Sequence, residues 1–165
     1  MTRRFLTAVG LALALALPLA PRAADLGPVT NLPLPRYVSL KANEGNARRG
    51  PDTSHKVDWV FTRRDQPLRV TAEFEHWRRV EDADGQGGWM HYALLSGARS
   101  VLVTGDMVQL HQRPQATTSV TALLERGVIA QLRQCQRDWC LLEVDKLRGW
   151  TEKRHVWGVD PEEEF

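Results

Sequence analysis

The 165-residue chain has a formal charge of +2, which falls to 19 − 20 = −1 once the first twenty-four residues, holding Arg3, Arg4 and Arg22 and no acid, are set aside. A near-neutral chain has no positive footprint for nucleic acid, and the basic pairs Arg48-Arg49, Arg63-Arg64 and Arg78-Arg79, interspersed with acids, read as a solvated face. The remaining stretch of about 140 residues suffices for one ordinary domain or two small ones.

Residues 1–24 read as a secretory signal peptide. Arg3 and Arg4 form a positive start, Phe5 to Leu19 is an apolar run, and Ala20, Ala23 and Ala24 offer small residues for cleavage. The run ends in Pro18, Pro21 and Arg22 and falls short of the roughly 20 apolar residues that cross a bilayer, so no stable membrane insertion is expected after cleavage. The protein is therefore expected to be periplasmic or secreted. Residues 25–36 are rich in proline and end Leu32-Pro33-Leu34-Pro35, a composition that favours an extended linker without a core.

From Tyr37 onward the chain says nearly the same thing twice. Pro51, Trp77 and Gly88-Trp89 recur as Pro114, Trp139 and Gly149-Trp150, at offsets that drift from 63 to 61 residues. One small unit has been duplicated, giving a first unit over 37–98, a second over 99–159 and an acidic tail over 160–165. Within each unit the apolar period is two. Val70, Ala72 and Phe74 alternate with Arg69, Thr71 and Glu73, and Cys140, Leu142 and Val144 alternate with Leu141 and Glu143, which predicts strands. Turns over 82–88, with three glycines, and over 145–149, ending in Gly149, lead into Trp89 and Trp150. The segment Thr117 to Arg126 matches the strand Val57 to Phe61 of the first copy and is read as a strand rather than a helix. Short strands at this spacing describe a small closed barrel, so the fold class is all-β.

The run Val38-Ser39-Leu40-Lys41, then Asn46-Ala47-Arg48-Arg49-Gly50-Pro51, Trp77-Arg78-Arg79-Val80 and Gly88-Trp89-Met90-His91 resembles the bacterial SH3-like domains of exported proteobacterial proteins. The second copy is similar but eroded, with Leu110-His111-Gln112-Arg113-Pro114 at the Arg-Gly-Pro position. The resemblance implies two tandem SH3-like barrels and a non-catalytic module at or near the cell wall. Its motifs specify fold far better than ligand.

Cys135 and Cys140 flank Gln136-Arg137-Asp138-Trp139, so a hairpin there sets the sulfurs opposite each other, and an exported pair at that spacing reads as a disulfide. Redox-active thiols or a metal site are the competing readings. A zinc site needs four ligands, and the second repeat offers only His111 and His155 beside the cysteines. Trp77, Trp89, Trp139 and Trp150 occupy matched positions, which favours packing within each barrel, with Trp89 and Trp150 covering its open side. Trp59 and Trp157 align with Ala122 and Ser96 and are unmatched. The ligand-binding candidates are Trp59, His76, Trp77 and Arg78, where an aromatic face flanked by polar groups suits a sugar ring or a peptide side chain.

The five histidines are scattered and no serine lies in a strained Gly-x-Ser-x-Gly turn, so no catalytic residues, metal or cofactor are expected. Two functions remain open. One is a module that recognises peptidoglycan or its peptides. The other is an adaptor that docks onto another exported protein.

Overall fold

A computed structural model describes residues 25–165. The signal peptide expected over 1–24 lies outside the described residues. A short hairpin of β1 (Asp25–Leu26) and β2 (Pro33–Leu34) comes first. The first repeat then forms β3 (Arg36–Leu40), β4 (Gly45–Arg48), β5 (Val57–Phe61), β6 (Pro67–Phe74), β7 (Trp77–Glu81), β8 (Gly87–His91) and β9 (Leu95–Ser96). The second forms β10 (Ser100–Val103), β11 (Val108–His111), β12 (Val120–Leu124), β13 (Ile129–Gln136), β14 (Trp139–Val144), β15 (Leu147–Glu152) and β16 (Val156–Trp157). A single 3-10 turn, Tyr92–Leu94 or Lys153–His155, precedes the last strand of each unit.

Both units are all-β, and their antiparallel sheets have one topology. The first runs β5-β4-β8-β7-β6-β3-β9 and the second β12-β11-β15-β14-β13-β10-β16. Even the irregularities repeat. Bulges fall between Ala47 and Arg48 and between Leu110 and His111, and again between Val70 and Ala72 and between Leu132 and Gln134. Each ladder remains open, ending at β5 and β9 or at β12 and β16. Curling brings residues from distant strands into one core: Leu40, Ala47, Phe61, Leu68, Val70, Val80 and Met90 in the first unit. The second core is built around Val101, Leu110, Leu124, Leu132 and Leu142 and includes both cysteines.

The alternation expected along β6 holds only as far as Val70. The bulge at Thr71 inserts a residue and shifts the pleat, so Glu73 turns inward and Phe74 faces solvent at 49% exposure, the reverse of the expected assignment. All six tryptophans are also excluded from the cores. In β8 it is Met90 that fills the interior and Trp89 that lies half-buried on the outer face. Thr151 and Trp150 repeat this arrangement in β15.

The segments flanking the two units are more ordered than composition suggests. Of residues 25–36, expected as extended linker, 25–34 fold back as the β1–β2 hairpin. At the other end, the backbone of Phe165 exchanges hydrogen bonds with Cys135, and Arg99 pairs with Glu163 while lying over the rings of Tyr37 and Phe165. The two units also meet directly. Ser100 Oγ donates to the Asp65 carbonyl at 2.6 Å, Arg63 donates to the Gly127 carbonyl at 2.7 Å, and Trp157 stacks edge-on against Tyr37 at 5.3 Å. Trp157 is unmatched because it serves this seam.

Candidate functional site

The hairpin joining β6 to β7 turns in two residues, Glu75 and His76, with Glu75 at a positive φ of 46°. This sets His76 at the tip and Trp77 at the start of β7, opposite His91 of β8. A cluster results. Trp77 meets His91 edge-on at 5.6 Å, His76 lies 5.9 Å from His91 and 5.7 Å from Tyr92, and His91 lies 4.9 Å from Tyr92. His76 and Tyr92 are exposed, while Trp77 and His91 are half-buried. Such a surface presents apolar faces with polar edges, suited to stacking on a ring or covering an aliphatic side chain.

Arg78 lies behind this surface rather than on it. Its side chain is 8% exposed, it donates to the carbonyls of Glu75 and Trp77, and its guanidinium sits 5.9 Å over the Tyr92 ring. The structure thus brings together His76, Trp77 and Arg78 and adds His91 and Tyr92, which the sequence reading missed. Tyr92 opens the 3-10 turn, where His91 Nδ1 accepts from the Ala93 amide, and no periodic signal marks such a turn. Trp59 stands apart. It is 40% exposed on edge strand β5, its aromatic neighbour is Phe61, and among the described residues no ring contact joins it to the cluster.

Under the cluster lies the most heavily coordinated carboxylate of the chain. Glu73, inward-facing with no exposed side-chain surface, accepts from Thr30 Oγ1 at 2.6 Å, Thr30 N at 2.9 Å, Arg36 Nη2 at 2.6 Å and Val29 N at 3.1 Å. Arg78 Nε is 3.5 Å away. Burial opposes the charge, but the bonds from Thr30, Arg36 and Val29 outweigh it and lower the Glu73 pKa to about 2. The carboxylate comes so close to the backbone that a Cβ on Gly27 would lie 2.4 Å from Oε2, so any side chain there would push the carboxylate out of these bonds. Glu73 is what folds the N-terminal hairpin onto the first unit.

Cys135 and Cys140 are bonded, as the spacing predicts, with Cα atoms 4.2 Å apart across a two-residue turn. The second unit carries a different cleft, of about 440 Å³, near Trp139, the counterpart of Trp77. His111 packs edge-on against Trp139 at 5.6 Å and its Nδ1 donates to the Thr118 carbonyl at 3.0 Å. Arg48 performs the same loop-holding task in the first unit by donating to the carbonyls of Thr53 and His55. Glu152, Arg154 and His155 line this cleft where the first unit has His91, Ala93 and Leu94. The two copies share a frame and differ in the chemistry they expose.

Two curled, open sheets of identical topology, each with a polar-aromatic surface around the same hairpin, define a duplicated small all-β module. The chain belongs to the bacterial SH3 domain family, whose model matches it twice, over residues 41–97 and 104–158. Two solved structures share similarity with it, NlpC2 and NlpC1 from Trichomonas vaginalis, at 8% and 9% identity and TM-scores of 0.34 and 0.35. The similarity covers 74% and 79% of this chain, which spans about half, 48%, of each of those chains. No curated protein matches it.

Proposed function

We propose that this protein is an exported, non-catalytic module that binds peptidoglycan through the aromatic cluster of its first unit. The observation that carries the reading is the surface group of exposed His76 and Tyr92 with half-buried Trp77 on a bacterial SH3 domain, a family whose members are commonly cell-wall binding modules. In this reading Trp77 and Tyr92 supply apolar faces, His76 supplies an edge hydrogen bond, and Arg78 fixes Tyr92 from behind. Trp59, on the edge strand, is a separate contact point on the same unit. The buried Cys135–Cys140 bond supports export, because such bonds persist in oxidising compartments. Sedimentation with purified peptidoglycan sacculi tests the proposal: the protein pellets with sacculi if it holds and stays in the supernatant if it does not.

A second reading, docking onto another exported protein, is favoured by the sheet edges. Strand β5 exposes Val57, Trp59 and Val60, and β12 exposes Val120 and Leu123, each beside unpaired backbone that a partner strand can extend. Capture of one specific exported protein without sacculus binding would select it.

A further inference from the structure

The N-terminal hairpin does more than rest on the first unit. Together they enclose a cleft of about 370 Å³, with Thr30 and Leu32 of the hairpin on one side and Val38, Leu95 and Tyr92 of the barrel on the other. The match to the bacterial SH3 domain model begins at residue 41, so the hairpin wall lies outside the matched residues. The cleft's walls are mostly apolar and its volume is at the small end of ligand sites.

Its charge is unbalanced in one direction. Arg36 and Arg78 both line the cleft and no carboxylate does. Both guanidiniums lean on the one carboxylate behind them, Glu73, which leaves a surplus of one positive charge. Arg36 commits Nη2 to Glu73, while its Nη1 is buried without a hydrogen-bond partner among the described residues. A guanidinium donor without an acceptor is costly, and a carboxylate in the cleft balances the surplus charge and, with a small turn of the Arg36 side chain, which is 18% exposed, accepts from Nη1.

We infer that this cleft binds the terminal carboxylate of a short peptide whose last side chain is small and aliphatic. The carboxylate lies toward Arg36 and Arg78, the side chain packs between Leu32 and Leu95, and the preceding residue leads out past Tyr92 onto the aromatic cluster. This deepens the proposed function, since it names the part of a cell-wall ligand that the first unit holds.

The test is titration of the full folded chain with acetyl-Ala-Ala as free acid and as C-terminal amide, followed by calorimetry and by the backbone amide signals of Leu32, Ser96 and Gly97. The free acid binds at least about ten-fold tighter than the amide, a difference set by loss of the charge-assisted bonds. Leu32→Ser weakens the acid several-fold with a melting midpoint within a few degrees of wild type, because Leu32 is 49% exposed. Equal binding of acid and amide, or no response at about 10 mM acid, overturns the inference. Sacculus sedimentation separates this from the broader reading. Sacculi bound with no peptide response leaves cell-wall binding standing and removes the cleft, whereas a peptide response without sacculus binding does the reverse.

Discussion

Glu73 faces Arg78 across the β6–β7 hairpin at the position where Cys135 faces Cys140 across β13–β14, 62 residues further on. One duplicated hairpin is therefore fastened in two ways, by a buried ion pair and by a covalent bond. Each fastening also receives a segment flanking the two units. The Glu73 carboxylate holds the amides of Val29 and Thr30, and the Cys135 backbone holds that of Phe165. The far half of the long strand, beyond the bulge, is the place each unit leaves for an added segment.

Glu73→Gln removes the charge that four donors and Arg78 surround, and breaking a buried pair from one side costs about 3 kcal/mol. The expected result is a lower melting midpoint together with loss of amide exchange protection at Val29 and Thr30. Hydrogen exchange read residue by residue checks this. Unchanged protection at those amides would show that the hairpin holds itself.

The same carboxylate sets an acid limit. Its folded pKa of about 2 lies below the ordinary value of 4.5, so its contribution is complete above about pH 5 and is lost as pH falls through 2. Glu163 acts in the same direction: burial raises its pKa, but the bonds from Arg99 and the Asp160 amide bring it below the usual range. Stability should decline between about pH 5 and 2, and Glu73→Gln should flatten that decline. A Glu73→Gln profile parallel to the wild type contradicts the assignment.

Reduction of Cys135–Cys140 should destabilise the second unit by about 2 kcal/mol in the chain-entropy view of so short a loop. Residues around Leu132 and Leu142 would then exchange faster, and those around Val70 and Val80 would not. Mass spectrometry without reduction checks the bond itself, and two free thiols in protein recovered from an oxidising compartment would disprove it.

The cores have exchanged volume between neighbouring strands. In the first unit Gly45 lies beneath Met90, and a Cβ there would come 2.9 Å from Met90 Cε and 2.7 Å from Leu40 Cδ1. In the second, Val108 and Thr151 stand at the matching positions, the larger residue having moved from one strand to the other. Gly45→Val should cost about 2 kcal/mol through overpacking, and adding Met90→Thr should recover part of it. Denaturation of the two single variants and the double variant measures the coupling. Strict additivity would mean the sites do not share space.

What was legible in the sequence was the pattern that repeats. Pro51, Trp77 and Trp89 against Pro114, Trp139 and Trp150 fixed the duplication, and period-two runs placed the strands. The face of β6 beyond Val70 was not legible, because a one-residue bulge inverts every side chain after it while leaving composition unchanged. The hairpin at 25–34 escaped for another reason: its strands are two residues long, and it is organised by a carboxylate over forty residues away. At the site, His76, Trp77 and Arg78 were adjacent in sequence and easily grouped. Tyr92 joined them only through the pairing of Trp77 with His91, and Trp59 separated from them because it lies on the outer strand β5, which pairs with β4 and not with β7 or β8, and its ring packs against Phe61.

The matched tryptophans lie outside the cores, so Trp89→Ala should cost about 1 kcal/mol, well below the roughly 3 to 5 expected when a buried aromatic such as Phe61 is truncated. Thermal melting of Trp89→Ala and Phe61→Ala decides it, and equal losses would place Trp89 in the core after all.

The central claim is that the aromatic cluster binds the cell wall. The most direct measurement is sacculus co-sedimentation of the wild-type chain beside Tyr92→Ala and the double variant His76→Ala, Tyr92→Ala, with melting recorded for each. Both residues are exposed, so the fold should survive either change. The account predicts that wild-type protein pellets, that Tyr92→Ala pellets several-fold less, and that the double variant remains in solution with a melting midpoint within a few degrees of wild type. Wild-type protein that stays in the supernatant, or variants that pellet as well as wild type, would contradict it.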